Sequence, residues 1–209
     1  MYVLCEASPY HWILITVMIS FFWKFYQSLR MGSMPPHDLN DEILEEYRMI
    51  TGFEPIDIAR HRNFFLQQTN GHSKMDKATF LSIDCIAINP LKDRIAHLFG
   101  YDTKPSLDFV DFLTAAANFN APGRKDVKIR TAFRIQDMDG DGVISRPDLL
   151  LYLRIITKES LLDFEYNELV SKVVAETSSD PESETISLQD FQRVVAKSDF
   201  ESKMHLSFY

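Results

Sequence analysis

The stretch Asp137-Met138-Asp139-Gly140-Asp141-Gly142-Val143-Ile144-Ser145-Arg146-Pro147-Asp148 constrains this chain more than any other. Its acids fall at positions 1, 3, 5 and 12 of a twelve-residue loop, glycine stands at position 6, and an aliphatic residue follows at position 8. A hard divalent cation needs about six to eight oxygens at short range, and alternate loop positions aim side chains at one centre while position 7 offers its carbonyl. The candidate ligands are therefore Asp137, Asp139, Asp141, the Val143 carbonyl, Ser145 acting through water, and Asp148. Aspartate at position 12 is one methylene shorter than glutamate, so it is expected to reach an ion with one oxygen and leave a shell of about six ligands. The expectation is a single site that takes Ca2+ or Mg2+.

The flanks of this loop carry helical periodicity. Val127, Ile129, Ala132 and Phe133 recur at helical spacing in Lys125–Gln136, and Pro147 opens a second run through Leu149, Leu150, Leu153 and Ile156. Helix, acidic loop and helix make an EF-hand unit, which pairs with another through a short strand contact at position 8. An aliphatic at position 8 followed by an apolar residue at position 13 recurs as Met75 with Phe80, Leu107 with Phe112, Ile144 with Leu149 and Ile186 with Phe191. The intervals of 32, 37 and 42 residues predict four such units in two paired lobes, hence an all-α fold. An extra helix is expected from Asp41 to about Ile50. The expected division is an N-terminal lobe over 41–119, a linker over 120–124, a C-terminal lobe over 125–198 and an apolar tail over 199–209.

The other three loops lack a metal-binding donor set. The first, Gln68–Thr79, offers Asp76 as its one carboxylate at a ligand position. The second, Gly100–Asp111, keeps Asp102, Asp108 and Asp111 but places Lys104 at a ligand position and Pro105 where the chain needs glycine. In the fourth, Ser179–Asp190, the acids Asp180, Glu182 and Glu184 fall on even positions, so this loop is expected to be structural.

A net charge of −8, from 22 basic and 30 acidic residues, excludes a general nucleic-acid binder, which needs clustered cations. A hydrophobic share of 45% with 16 Phe and 7 Gly excludes global disorder. Cys5 and Cys85 suggest no disulfide framework, so the expected compartment is a reducing cytoplasm. No His-Glu-x-x-His array, Gly-x-Ser-x-Gly elbow or phosphate-binding glycine loop is present, and no enzyme is expected. Residues 7–23 carry no Asp, Glu, Lys or Arg, yet the apolar run from Tyr10 to Trp23 is shorter than the roughly 20 residues a span needs. Residues 1–30 are read as a dispensable extension, with a membrane anchor as the alternative, and 31–40 as a linker with Met31 as a natural start.

A family resemblance rests on residues across Asp41–Tyr209. These are Leu44-Glu45-Glu46-Tyr47 with Thr51 and Phe53, Asp57-Ile58 with His61, Arg62 and Phe64, and Asn89-Pro90-Leu91-Lys92-Asp93-Arg94-Ile95. Ala132-Phe133-Arg134-Ile135, Asp148, Phe191-Gln192 and Asp199-Phe200 continue the match. The chain resembles the calcium- and integrin-binding proteins (calmyrins), a calcineurin-B-like branch of the EF-hand proteins. Asp148 is the most specific mark, because the calcineurin regulatory subunit normally has glutamate there.

The resemblance implies a cytoplasmic adaptor, at times at the membrane periphery. Its partners would be protein helices, such as the cytoplasmic tail of a membrane receptor of the integrin type, or a kinase. Leu150, Leu153, Ile156, Val170, Val173, Val174, Val194 and Val195 are the candidate groove residues, with core packing as their other reading. Phe200, Met204 and Leu206 give the tail enough apolar character to occupy such a groove until a partner displaces it. The alternative function is a regulatory subunit of a protein phosphatase, as calcineurin B is.

Overall fold

The computed structural model describes residues 39–120, 123–180, 182 and 184–197. They fall into two compact units, 39–128 and 129–197. The apolar run at 10–23 and the tail residues Phe200, Met204 and Leu206 lie outside the described residues. No helix among the described residues is long and apolar enough to cross a membrane.

The first unit opens with α1 (Asp41–Thr51). The Asn40 side chain accepts from the Ile43 N–H at 2.8 Å, satisfying a donor that the first helical turn leaves without a carbonyl. Gly52, at φ +76°, turns the chain out of the helix. After α2 (Pro55–Gln68), with proline in its first turn, come β1 (Lys74–Asp76), α3 (Lys77–Ser82), α4 (Asp84–Ala87) and α5 (Lys92–Phe99). The unit then continues through β2 (Ser106–Asp108) and α6 (Phe109–Asn120). β1 and β2 pair antiparallel with Met75 opposite Leu107, both buried. Much of the phenylalanine content sits here: Phe80 and Phe99 lie 4.7 Å apart between ring centroids, and Phe65 and Phe99 both contact the ring of Phe112. The Tyr101 hydroxyl donates to the Met75 carbonyl at 3.2 Å and so anchors the end of α5 to β1.

The second unit takes in α7 (Lys125–Gln136) from Ile129 onward, then β3 (Val143–Ser145), α8 (Arg146–Thr157), α9 (Asp163–Thr177), β4 (Thr185–Ser187) and α10 (Leu188–Lys197). β3 and β4 pair antiparallel with Ile144 opposite Ile186, and neither is exposed. Leu149, Tyr152, Tyr166, Val170 and Phe191 are buried in the same unit. The position-8 and position-13 apolar residues of the repeat are thus the residues that join each pair of loops and seal it from water. The fold is all-α apart from these two short ribbons.

Candidate metal centre

The third loop lies between the end of α7 at Gln136 and the Ser145 cap of α8. Asp137 is buried; its Oδ1 accepts from the Gly140 N–H at 2.8 Å and its Oδ2 from the Gly142 N–H at 3.1 Å. Asp139 accepts from the Asp141 N–H at 3.2 Å, and Asp141 from the Val143 N–H at 2.9 Å. These short loops of hydrogen bonds curl the backbone around its own carboxylates, and Gly140 at φ +77° and Gly142 at φ +91° supply the left-handed turns the curl requires. As a result Asp137, Asp139 and Asp141 each bring an oxygen to within 4.8 Å of the others. Three converging carboxylates are a hard-oxygen donor set, which fits Ca2+ or Mg2+ and does not suit a soft metal.

Asp148 stands outside that cluster. Its Oδ1 accepts from the Met138 N–H at 3.0 Å; its Oδ2 accepts from the Ser145 N–H at 2.8 Å and from the Ser145 hydroxyl. Ser145 in turn caps α8 by accepting from the Asp148 N–H at 3.4 Å. The two candidate ligands at positions 9 and 12 therefore hold each other, while Asp148 Oδ1 reaches the backbone between Asp137 and Asp139. The Val143 carbonyl belongs to β3, beside the cluster in sequence.

In the other loops several of the acids are held by hydrogen bonds and by cations of the protein itself. In the second, the Lys104 ammonium sits 2.6 Å from Asp111 Oδ1, the His97 ring pairs with Asp102, and Asp108 accepts from the Asp111 N–H at 2.9 Å. The hydrogen bond from Lys104 to Asp111 raises the ammonium pKa, and the bond from His97 holds Asp102 below the usual carboxylate range. In the fourth, Ser187 and Asp190 repeat the Ser145–Asp148 pairing: Asp190 Oδ2 accepts from the Ser187 N–H at 3.2 Å and from its hydroxyl at 2.6 Å. Burial pushes the Asp190 carboxyl up, but the Ser187 and Ser179 hydrogen bonds and the neighbouring Arg193 outweigh it and leave it low. In the first loop, Asp76 caps α3 by accepting from the Thr79 N–H at 2.7 Å.

The reciprocal Ser–Asp pairs at positions 9 and 12 were readable as the spacing Ser-x-x-Asp in Ser145–Asp148 and Ser187–Asp190. The role of Arg193, three residues past the fourth loop, carried no loop-motif signal. Of the expected groove residues, Leu153, Val170, Val173, Val174, Val194 and Val195 are buried, whereas Leu150 and Ile156 are half-buried. Leu151, Leu162 and Phe164 in the same unit are exposed.

Paired helix–loop–helix units joined at Ile144–Ile186 and Met75–Leu107, one of them with a converging aspartate cluster, define an EF-hand protein. The chain belongs within that class to the calcineurin B family. It is 32% identical over 167 residues to calcineurin B of Naegleria gruberi, covering 79% of this chain and 94% of that one. Calcineurin B of Candida glabrata is 30% identical over 179 residues, covering 85% and 99% of the two chains. That of Schizosaccharomyces pombe is 30% identical over 169 residues, covering 80% and 97%. No family model matches the chain.

Proposed function

We propose that this protein is a non-catalytic, cytoplasmic regulatory subunit of the calcineurin B type, which binds a helical segment of a protein partner and holds one Ca2+ or Mg2+ in its third loop. The observation that carries the reading is the aspartate cluster of Asp137, Asp139 and Asp141 on a chain that matches its relatives along nearly their whole length. In this reading those three residues hold the cation with the Val143 carbonyl, and Ser145 and Asp148 complete the shell once the Met138 and Ser145 contacts to Asp148 loosen. The bound ion supplies a fixed positive charge joining the end of α7 to the start of α8. Leu150, Leu151, Ile156, Leu162 and Phe164 give the second unit its apolar surface for a partner helix; the buried valines contribute only if the helices splay.

Asp148 favours a second reading, an adaptor of the calmyrin type whose partner is a receptor tail or a kinase, because the resemblance to that branch rests most specifically on aspartate at position 12. One experiment separates the two. The full chain is purified from its own cells in Mg2+, in Ca2+ and in chelator, and the copurifying chains are identified. A phosphatase catalytic chain retained at stoichiometry supports the first reading, whereas its absence beside a retained receptor tail or kinase supports the second. Titration of the full chain with Ca2+ and Mg2+, and of its Asp137→Ala variant, tests the metal site directly: uptake by the variant equal to that of the parent removes it from the proposal.

A further inference from the structure

The fourth loop ends on the same serine–aspartate pairing as the third, but with a cation of its own. Arg193 Nη2 lies 2.8 Å from Asp190 Oδ1 and donates at 2.7 Å to the Thr177 carbonyl at the end of α9. One nitrogen therefore joins the helix that enters the loop to the acid that closes it. A divalent ion makes that same join in a metal-binding loop, between position 1 and position 12. Position 1 here is Ser179, whose N–H also reaches Asp190 Oδ1, at 3.1 Å. In the third loop the residue matching Arg193 is Leu151, which is exposed and brings no charge. Asp148 is accordingly held only by N–H groups and a hydroxyl among the described residues.

We propose that Arg193 is the resident cation of the fourth loop and, through the Ile144–Ile186 strand contact, a positioning residue for metal binding at the third. The loop it closes carries β4, and β4 is the partner of β3, whose Val143 and Ser145 are candidate donors. With the fourth loop fixed from within, the C-terminal unit answers to one ion and the strand that frames that ion's site keeps its place when the ion leaves. The proposal rests on the third loop's binding metal.

Charge and positioning make opposite forecasts, which gives the test its edge. Arg193→Gln removes a positive charge near an acidic loop, so Coulomb attraction alone would tighten cation binding; loss of positioning weakens it. The full chain and its variants are titrated calorimetrically with Ca2+ alone, and amide exchange at Ser179, Ile186 and Ser187 is followed in chelator. Expected results are an affinity about tenfold lower for Arg193→Gln, restoration to within about threefold by Arg193→Lys, whose single ammonium replaces the single bridging nitrogen, and no change for Glu182→Gln. In the parent chain the three amides are expected to stay protected in chelator, and in Arg193→Gln to exchange at least about tenfold faster. Unchanged or tighter Ca2+ binding by Arg193→Gln overturns the proposal, as does loss of protection in the parent when the ion is removed. A parent that binds no Ca2+ defeats the metal reading instead, and the exchange measurement still decides whether Arg193 closes the loop.

Discussion

Ser145 and Asp148 cap each other at the start of α8: the serine N–H donates to Asp148 Oδ2 at 2.8 Å while the serine Oγ accepts from the Asp148 N–H at 3.4 Å. The acid that ends the third loop thus serves the helix as well as the proposed ion, and its short side chain leaves it one methylene from a bidentate reach. Asp148→Glu is expected to raise Ca2+ affinity about tenfold and to raise the preference for Ca2+ over Mg2+, since a bidentate ligand adds an oxygen that six-coordinate Mg2+ does not use. Calorimetric titration of both ions into parent and variant checks it; an unchanged ratio would mean that reach at position 12 does not set selectivity.

Gly142 sits at φ +91° with open space where a side chain would begin, so a substitution there meets backbone strain and no collision. Gly142→Ala is expected to cost about 1–2 kcal/mol. Because Asp137 holds this turn through the Gly142 N–H, the cost should appear even in chelator, as a lower denaturation midpoint. Equal stability of parent and variant in chelator would show that the loop takes this shape only around a cation.

The repeat was legible because its apolar positions do two jobs at once. Met75, Leu107, Ile144 and Ile186 must pair as strands and be buried, and that double demand leaves few residue types for position 8. The helix over Lys125–Gln136 and the proline-led helix after Ser145 were equally readable from periodicity. What the loop spacing did not reveal is where side chains outside it return to. Arg193 looks like an ordinary exposed cation in α10, and only the fold brings it back to Thr177 and Asp190. Lys104 was visible as a charge in a ligand position, but the pattern gave no sign that its partner would be Asp111, the acid of its own loop. Six of the expected groove residues turned out buried because helical spacing marks an apolar face without saying whether the protein's own helices or a partner covers it.

Ile186 is wholly buried and lies opposite Ile144. Ile186→Ala removes packing from a site walled by the strand pair, with an expected loss of about 2–4 kcal/mol. Since β3 loses its partner contact, Ca2+ affinity at the third loop is expected to fall in the same variant. Denaturant unfolding in chelator measures the first effect and calorimetry the second; a destabilised variant with parental affinity would separate the strand contact from the metal site.

Acid should weaken the first unit through His61. This histidine is buried in α2, its ring tilted against that of Phe53 at 4.5 Å between centroids, with Nδ1 2.6 Å from the Asp57 carbonyl. A carbonyl only accepts, so Nδ1 carries the proton and the neutral ring has Nε2 inside the protein without a hydrogen-bond partner among the described residues. Burial lowers its pKa from 6.5 to about 4, against a smaller opposing effect of the Asp57 carbonyl. Between those values the unfolded chain binds the proton and the folded chain does not, so the stabilisation is complete above pH 6.5 and is lost as pH falls towards 4. The expected loss is about 3 kcal/mol across that window. Denaturant midpoints taken from pH 7 to pH 4 should therefore fall more steeply for the parent than for His61→Gln, and parallel curves would place the acid sensitivity elsewhere.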